Sequence, residues 1–221
     1  MVHHILSIDF DYIMFPCIKL YNDLCGGGGN STITWANIEM QRGVEEKFLQ
    51  YDANAYTSIV KLVQLAMKKE GTELIPVEEH DKLVDILKED PEYENDSFNL
   101  VNIDFHHDIM YRFNDRNIIK NFDKYNCSDW VGYLMIKDKL SEYTWVKAPN
   151  SSLYDHNLDG NYNIKFNIES RRIFDNMNEF LNEHPFDKIF LCFSPQWVPH
   201  KYKHLYDLII DLFKPSDIKE E

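Results

Sequence analysis

Cysteine is scarce in this chain, and no two cysteines are closely spaced. The four are Cys17, Cys25, Cys127 and Cys192. Disulfide scaffolds need dense cysteines and structural zinc sites need C-x-x-C pairs, so we expect reduced thiols and no zinc site built from cysteines. The N-terminal "MVHHILSIDFDY" lacks a basic leader, a long apolar segment and a small-residue cleavage site. Together these features predict a cytoplasmic protein.

Basic residues and long apolar runs are also lacking. Lys and Arg number 23 against 37 Asp and Glu, which gives a formal net charge of -14. A surface of this sign repels phosphate backbones and predicts no nucleic-acid partner, while cationic substrates or metal ions are attracted. The charge can equally serve solubility alone. No apolar run approaches the roughly 18 residues of a membrane span, so no membrane partner is expected.

Phosphate-binding glycine motifs are missing as well. The glycine-rich "GGGGNS" at residues 26–31 fits neither the Gly-x-Gly-x-x-Gly nor the Walker pattern, and it resembles a flexible surface loop. Of the 221 residues, 44% are hydrophobic and 14% are aromatic, which is enough for a packed core. We predict one domain, spanning residues 1–221.

Apolar segments of strand and helix period alternate along the chain. The predicted strands are 3–10, 72–77, 98–105, 143–149 and 187–195. The predicted helices are 35–50, 55–71, 80–90, 128–140, 169–185 and 201–214. Several strands are apolar on both faces, which is typical of a parallel sheet covered on both sides. The pattern therefore predicts an α/β fold with three layers, α/β/α, around a mainly parallel sheet.

Acidic and histidine side chains follow the predicted strands at the points where the strands end. In chain order they are Asp9 and Asp11 after the first strand, His80 after the second, and Asp104, His106 and Asp108 after the third. Ligand sites of parallel sheets lie outside the carboxyl ends of the strands. We therefore expect one site at this edge of the sheet.

Each of these motifs also has a purely structural explanation. An Asp-x-Asp pair after a strand more often makes a turn or caps a helix, and a lone histidine such as His80 usually caps a helix or lies on the surface. A purely structural role is harder to assign to Asp-x-His-x-Asp, because in an extended segment positions 104, 106 and 108 project to one side. Three such groups repel one another and lose hydration unless a cation lies among them. His107 is out of phase and is expected to pack or hydrogen-bond behind the ligands.

The donor set indicates which ions such a site would prefer. Carboxylates with a minority of histidine suit hard or borderline divalent ions, and aspartate can bridge a pair of them. Zinc sites more typically draw on more histidine or cysteine. Four aspartates and two histidines are therefore interpreted as the ligands of two manganese ions.

Two of these motifs resemble signatures of a known superfamily. "DFHHD" at residues 104–108 resembles the Asp-x-His-x-Asp signature of the arginases and agmatinases, and "SIDFDYIMFP" at 7–16 is similar to their second signature, Ser-Phe-Asp-x-Asp-x-x-x-Pro. The two occur in reversed order here. That order, together with "CSDWVGYLMIKDKLSEYTWVKAP" and "FSPQWVP", resembles a divergent arginase-like family that includes bacterial peptide arginases.

This resemblance implies an arginase-like fold with two Mn²⁺ ions at the carboxyl ends of the strands. Asp104 and one of Asp9 and Asp11 would bridge the ions. His80 and Asp108 would complete one ion, and His106 the other. The candidate catalytic residues are Asp9, Asp11 and Asp104, with Asp9 or Asp11 receiving a proton.

The activity that the resemblance implies is a metal-dependent hydrolysis of a guanidine C–N bond. Hydroxide held by the metals would attack the guanidinium carbon of arginine, either free or in a precursor peptide, and yield ornithine and urea. In the peptide this is a post-translational modification. Arginases bind the guanidinium through a glutamate beyond the Asp-x-Asp loop. The nearest candidates here are Asn37, Glu39 and Glu46, of which Asn37 and Glu39 are the predicted substrate-binding residues.

Two other classes of function fit the same residues. An amidohydrolase or deacetylase of acylated amines would keep the metals in a different pocket and release acetate in place of urea. A non-catalytic binding protein would use the metals only for folding, and would show metal-dependent melting without turnover. The oligomeric state is left open by the sequence.

Overall fold

The computed structural model describes residues 2–14, 50–91, 93–109, 115–149, 151 and 164–213. Several predictions fall outside these ranges, namely the helix at 35–50, the "GGGGNS" loop, and the substrate-binding residues Asn37 and Glu39. Within the described residues, no helix combines the length and apolar character needed to cross a membrane.

Six described strands form one sheet, and all of its pairings are parallel. The strands are β1 (Val2–Asp9), β2 (Glu73–Val77), β3 (Ser97–Asp104), β4 (Leu140–Lys147), β5 (Lys165–Glu169) and β6 (Lys188–Cys192). Their order in the sheet is β2-β6-β1-β3-β4-β5. Parallel strands require long crossover connections, which the intervening helices provide.

The helices of the described residues are distributed over both faces of this sheet. They are α1 (Ala53–Ala66), α2 (Lys82–Glu89), α3 (Asp115–Phe122), α4 (Trp130–Ile136), α5 (Met177–Glu183) and α6 (Lys203–Phe213). Short 3₁₀ turns occur at Phe10–Ile13, Tyr93–Asn95, Arg171–Phe174 and His200–Tyr202. Helix α1 begins where the Asp52 carboxylate accepts hydrogen bonds from the amides of Asn54 and Ala55, both at 2.9 Å. Such a cap contributes about 1 kcal/mol.

Two separate cores show that the sheet is sandwiched between helix layers. On one face, Leu6 and Ile8 of β1 pack with residues of α1, α5 and α6. On the other face, Ile5 packs with residues of α2, α3 and α4, among them the fully buried Trp130. Alternating residues of one strand thus enter opposite cores, as a strand buried on both faces requires. The predicted α/β fold, with a parallel sheet between two helix layers, is confirmed.

Apart from shifts of a few residues at element ends, the predicted elements differ from the observed ones in three places. The helix predicted over 169–185 is interrupted, because Asp175 and Asn176 separate a 3₁₀ turn from α5. Short polar side chains of this kind favour turns over helix interiors. Strand β5 and helix α3 were not predicted. Both are short and largely polar, and β5 forms by pairing with β4, a tertiary contact that sequence periodicity does not register.

Candidate metal centre

The carboxyl ends of four neighbouring strands lie level with one another. Asp9 of β1 is in register with Cys192 of β6, which is in register with Val77 of β2. On the other side, Ile8 pairs with Ile103, so Asp104 of β3 is level with Asp9. The sheet therefore brings the predicted acids together at one edge. It also inserts β6 between β1 and β2, which the sequence did not predict.

The first half of the site is centred on His80, which follows β2. Its Nδ1 atom lies 3.2 Å from an oxygen of Asp9, 3.3 Å from one of Asp104 and 3.2 Å from one of Asp108. All four side chains are buried, His80 being only 1% exposed. One imidazole nitrogen thus faces three carboxylates, one at the end of β1 and two at or just after the end of β3.

The second half of the site is centred on His106. Its Nδ1 lies 2.9 Å from Asp11 Oδ2 and 3.9 Å from Asp104 Oδ1. The His106 side chain is 16% exposed, whereas Asp11 and Asp104 are fully buried. Access from solvent is therefore on the His106 side.

Asp104 belongs to both halves. The donor atoms of Asp11, Asp104 and His106 lie within 4.8 Å of one another, and so do those of the group formed by His80, Asp104 and Asp108. A side chain shared by two neighbouring groups is the geometry that a bridging carboxylate needs. The six predicted ligand residues are thus brought together, with Asp9 in contact with the His80 half.

Side-chain hydrogen bonds orient the candidate ligands from behind. Ser7 Oγ lies 3.0 Å from His80 Nε2, and the indole of Trp130 donates to Asp108 at 2.7 Å. The amide of Asn102 donates to Asp104 at 3.0 Å. Ser194 Oγ donates to Asp9 Oδ2 at 2.5 Å. Partners of this kind set the direction and basicity of metal ligands.

The backbone after β3 turns the side chains in a way that the sequence prediction missed. The prediction assumed an extended segment through residues 104–108, but the strand ends at Asp104. The amide of His106 then bonds to Asp104 Oδ1 at 2.8 Å, and Asp108 has a φ of 50°. Apart from glycine, this left-handed conformation is adopted mainly by asparagine and aspartate. It directs Asp108 into the His80 half while His106 enters the other half.

Burial and mutual repulsion shift the acid–base properties of these carboxylates. Burial first, and then neighbouring carboxylates, raise the pKa of Asp9 and Asp11 well above the usual range. The same causes raise the pKa of Asp108 to about 7. Burial acts on Asp104 too, but its hydrogen bond to His80 and the charges of His80 and His106 together outweigh it and lower the pKa to about 2. The pKa of His80 is raised well above 6.5, because the carboxylates around it outweigh its burial.

These features fit a divalent cation. Four buried carboxylates lie so close together that protons have to be retained among them, and a cation would take over the role of those protons. Oxygen donors with a minority of imidazole nitrogens suit hard or borderline ions. The site residues could therefore hold a metal ion.

Thermal stability of the metal-free protein is expected to fall as the pH rises above about 6.5, through the pKa of Asp108 at about 7 and the raised pKa of His80. Asp9, Asp11 and His80 keep protons in the folded protein at pH values where the unfolded chain has released them. Groups with a raised folded pKa favour folding at low pH, and this contribution is lost as the pH rises through the folded pKa. His107, whose pKa is lowered to about 4 by burial, has the opposite effect only below 6.5.

The measurement is the melting temperature of chelator-treated protein with and without added Mn²⁺ across that pH range. Because the ion replaces protons, the increase in melting temperature on adding Mn²⁺ should be larger at high pH. A melting temperature of the metal-free protein that rises with pH would contradict this assignment of protons.

The structure places the remaining predicted residue, His107, outside the ligand groups. It is buried, its ring packs edge-on against Trp145 with the centroids 5.5 Å apart, and its Nδ1 accepts a hydrogen bond from the amide of Ile109 at 3.2 Å. This agrees with the predicted packing role. Ser194 and Cys192, by contrast, were not predicted to lie at the site, because the sequence "FLCFSP" indicated only a strand and a turn.

Comparisons with known proteins do not assign the chain to a family. No protein-family model, curated protein or solved structure significantly matches the chain. The fold and the site define an α/β protein with a parallel sheet and a buried group of aspartates and histidines that could hold a metal ion. The functional argument therefore rests on the site itself.

Proposed function

We propose that the protein is a binuclear manganese hydrolase that converts arginine, in a precursor peptide, to ornithine with release of urea. The observation that carries the proposal is Asp104, whose carboxylate belongs to both Asp/His groups. A shared carboxylate suits two ions better than one. The resemblance of "DFHHD" and "SIDFDYIMFP" to the arginase signatures supports the same assignment.

The residues divide into those that hold the ions and those that contact the substrate. In the proposal, Asp104 would contribute to both ions, His80 and Asp108 would hold one, and His106 and Asp11 would hold the other. Divalent ions held in this way supply Lewis acidity and lower the pKa of a water molecule. Asp11 lies in the accessible half of the site and accepts the proton released during hydrolysis.

Features of the accessible side support a planar, cationic substrate. The ring of Trp197, which is partly exposed, lies 4.8 Å from the ring of His106. An aromatic face beside a site favours a guanidinium, which is flat and always charged at neutral pH. The net charge of -14 favours encounter with basic peptides.

The test is to load the purified chain with Mn²⁺ and incubate it with arginine and with arginine-containing peptides. Urea is measured, and mass spectrometry detects conversion of the guanidino group into an amine. The Asp11→Asn variant removes the proposed proton acceptor with little change in volume and should lose urea release; its metal content is measured as well, because Asp11 is also a proposed metal ligand. Release of acetate from acylated amines in place of urea would favour the amidohydrolase alternative. Metal-dependent melting without turnover would favour a binding protein.

Substrate binding is predicted to depend on Glu39 and Asn37, both outside the described residues. Glu39→Gln and Asn37→Ala are expected to raise KM for arginine peptides or abolish urea production, because a guanidinium is held by carboxylate and amide groups. Metal content should stay unchanged, which separates lost substrate binding from lost metal. Full urea-forming activity in both variants would show that these residues do not bind the substrate.

A further inference from the structure

We propose that the thiol of Cys192 is a metal ligand in the His80 half of the site, and that it gives this half a preference for thiophilic divalent ions such as Zn²⁺, Co²⁺ and Cd²⁺. This inference rests on the metal centre of the proposed function and adds to it a donor outside the six predicted residues. It also predicts that the two halves of the centre differ in metal preference.

Cys192 is placed at the site by the order of the strands. It is the last residue of β6, in register with Asp9 of β1 on one side and Val77 of β2 on the other. Its Sγ atom, an oxygen of Asp9 and a nitrogen of His80 all lie within 4.8 Å of one another. All three residues are buried. One oxygen, one nitrogen and one sulfur donor thus converge from three elements.

Contacts around Cys192 hold the thiol near these donors. Its Sγ lies 3.3 Å from Ser194 Oγ, and the thiol donates to the carbonyl of Glu78 at 3.5 Å. The same Ser194 hydroxyl donates to Asp9, so one residue positions both the thiol and the carboxylate. Cys192 belongs to the core that contains Ile5 and Trp130, but its thiol also borders ionisable groups, which a packing role alone does not require.

The chemistry of the donors separates the two halves. When a metal binds, the S–H bond is replaced by a sulfur–metal bond and the proton passes to solvent, with no change in oxidation state. Sulfur and imidazole donors select Zn²⁺ and its relatives, whereas carboxylate donors suit Mn²⁺. The His106 half combines His106 only with carboxylates. We therefore expect thiophilic ions to enter the His80 half first.

Cobalt provides a direct test, because a cysteine ligand produces a near-ultraviolet charge-transfer band from sulfur to Co²⁺. The metal-free full chain is titrated with Co²⁺ while its absorption is recorded. The wild type should show the band, and Cys192→Ser should lose it while still binding Co²⁺. Cys127→Ser is the matched control and should keep the band. A Cys17→Ser, Cys25→Ser, Cys127→Ser triple variant, with Cys192 as its sole thiol, should keep it too.

The affinity of the protein for Zn²⁺ and Mn²⁺ is a second measurement that tests the role of Cys192. Cys192→Ser should weaken Zn²⁺ binding roughly tenfold or more, and should change Mn²⁺ binding less. Co²⁺ binding without the band in the wild type, or an unchanged band in Cys192→Ser, would overturn the inference and leave the metal centre standing. If neither Co²⁺ nor Mn²⁺ binds the wild type, the metal centre itself is refuted. If Cys192→Ser does not fold, the ¹¹³Cd chemical shift of the triple variant decides whether the sulfur coordinates.

Discussion

The Asp104→Asn variant is expected to lose both metal ions. Asp104 contributes oxygen atoms to both Asp/His groups, so its replacement weakens two sites at once. The loss in affinity should exceed about 100-fold, because changing residues that only support metal ligands already costs up to that much. Asparagine has nearly the same volume, so the backbone around β3 is retained. Metal content after loading and desalting is the measurement, and the proposed value for the wild type is two Mn²⁺ per chain.

His107 provides the control for this experiment. It is a histidine three residues from Asp104 and is also buried, but it packs on Trp145 and belongs to neither ligand group. His107→Ala should therefore lower the melting temperature, as the loss of a buried side chain does, and keep the metal content of the wild type. Equal loss of metal from His107→Ala and Asp104→Asn would show that the shared carboxylate is not the bridging group. A wild type that holds one zinc and no Mn²⁺ after loading with Mn²⁺ would also contradict the manganese proposal.

Removing His106 should leave one half of the centre intact. His106 contributes to the group with Asp11 and Asp104 and not to the group around His80. His106→Ala is therefore expected to reduce the bound Mn²⁺ from two ions to one. Urea production should fall by at least about 100-fold, because the proposed reaction needs both ions and His106 lies on the accessible side.

Metal content and single-turnover urea release measured on the same preparation test this prediction. His200→Ala is a suitable control, since His200 is exposed and lies outside the ligand groups of the described residues. Loss of both ions from His106→Ala would mean that the two halves bind cooperatively and not as separate groups. Retention of both ions would remove His106 from the ligands.

Much of the fold could be predicted because its strands are buried on both faces. The segments containing Leu6 and Leu100 are mainly apolar and end in acids, and such segments indicate a parallel sheet. The position of β6 between β1 and β2 could not be predicted, since strand order depends on tertiary packing. The residues of the site could likewise be predicted only in part. Asp9 and Asp104 could be identified from their place after strands, but the placement of Ser194 and Cys192 depends on strand order.

Strand order also determines when during folding the metal centre can form. Strand β1, the most N-terminal of the described strands, lies inside the sheet between β3 and β6. Val2 pairs with Ser97, and Ile5 pairs with Lys188 near the other end of the chain. Contacts between such distant residues make folding slow, because a long segment must be ordered before they form. During synthesis, one edge of β1 stays unpaired until β6 emerges from the ribosome, and Asp9 gains its Ser194 hydrogen bond only then. A nascent chain that ends before β6 therefore presents an open strand edge and an incomplete set of metal-site contacts.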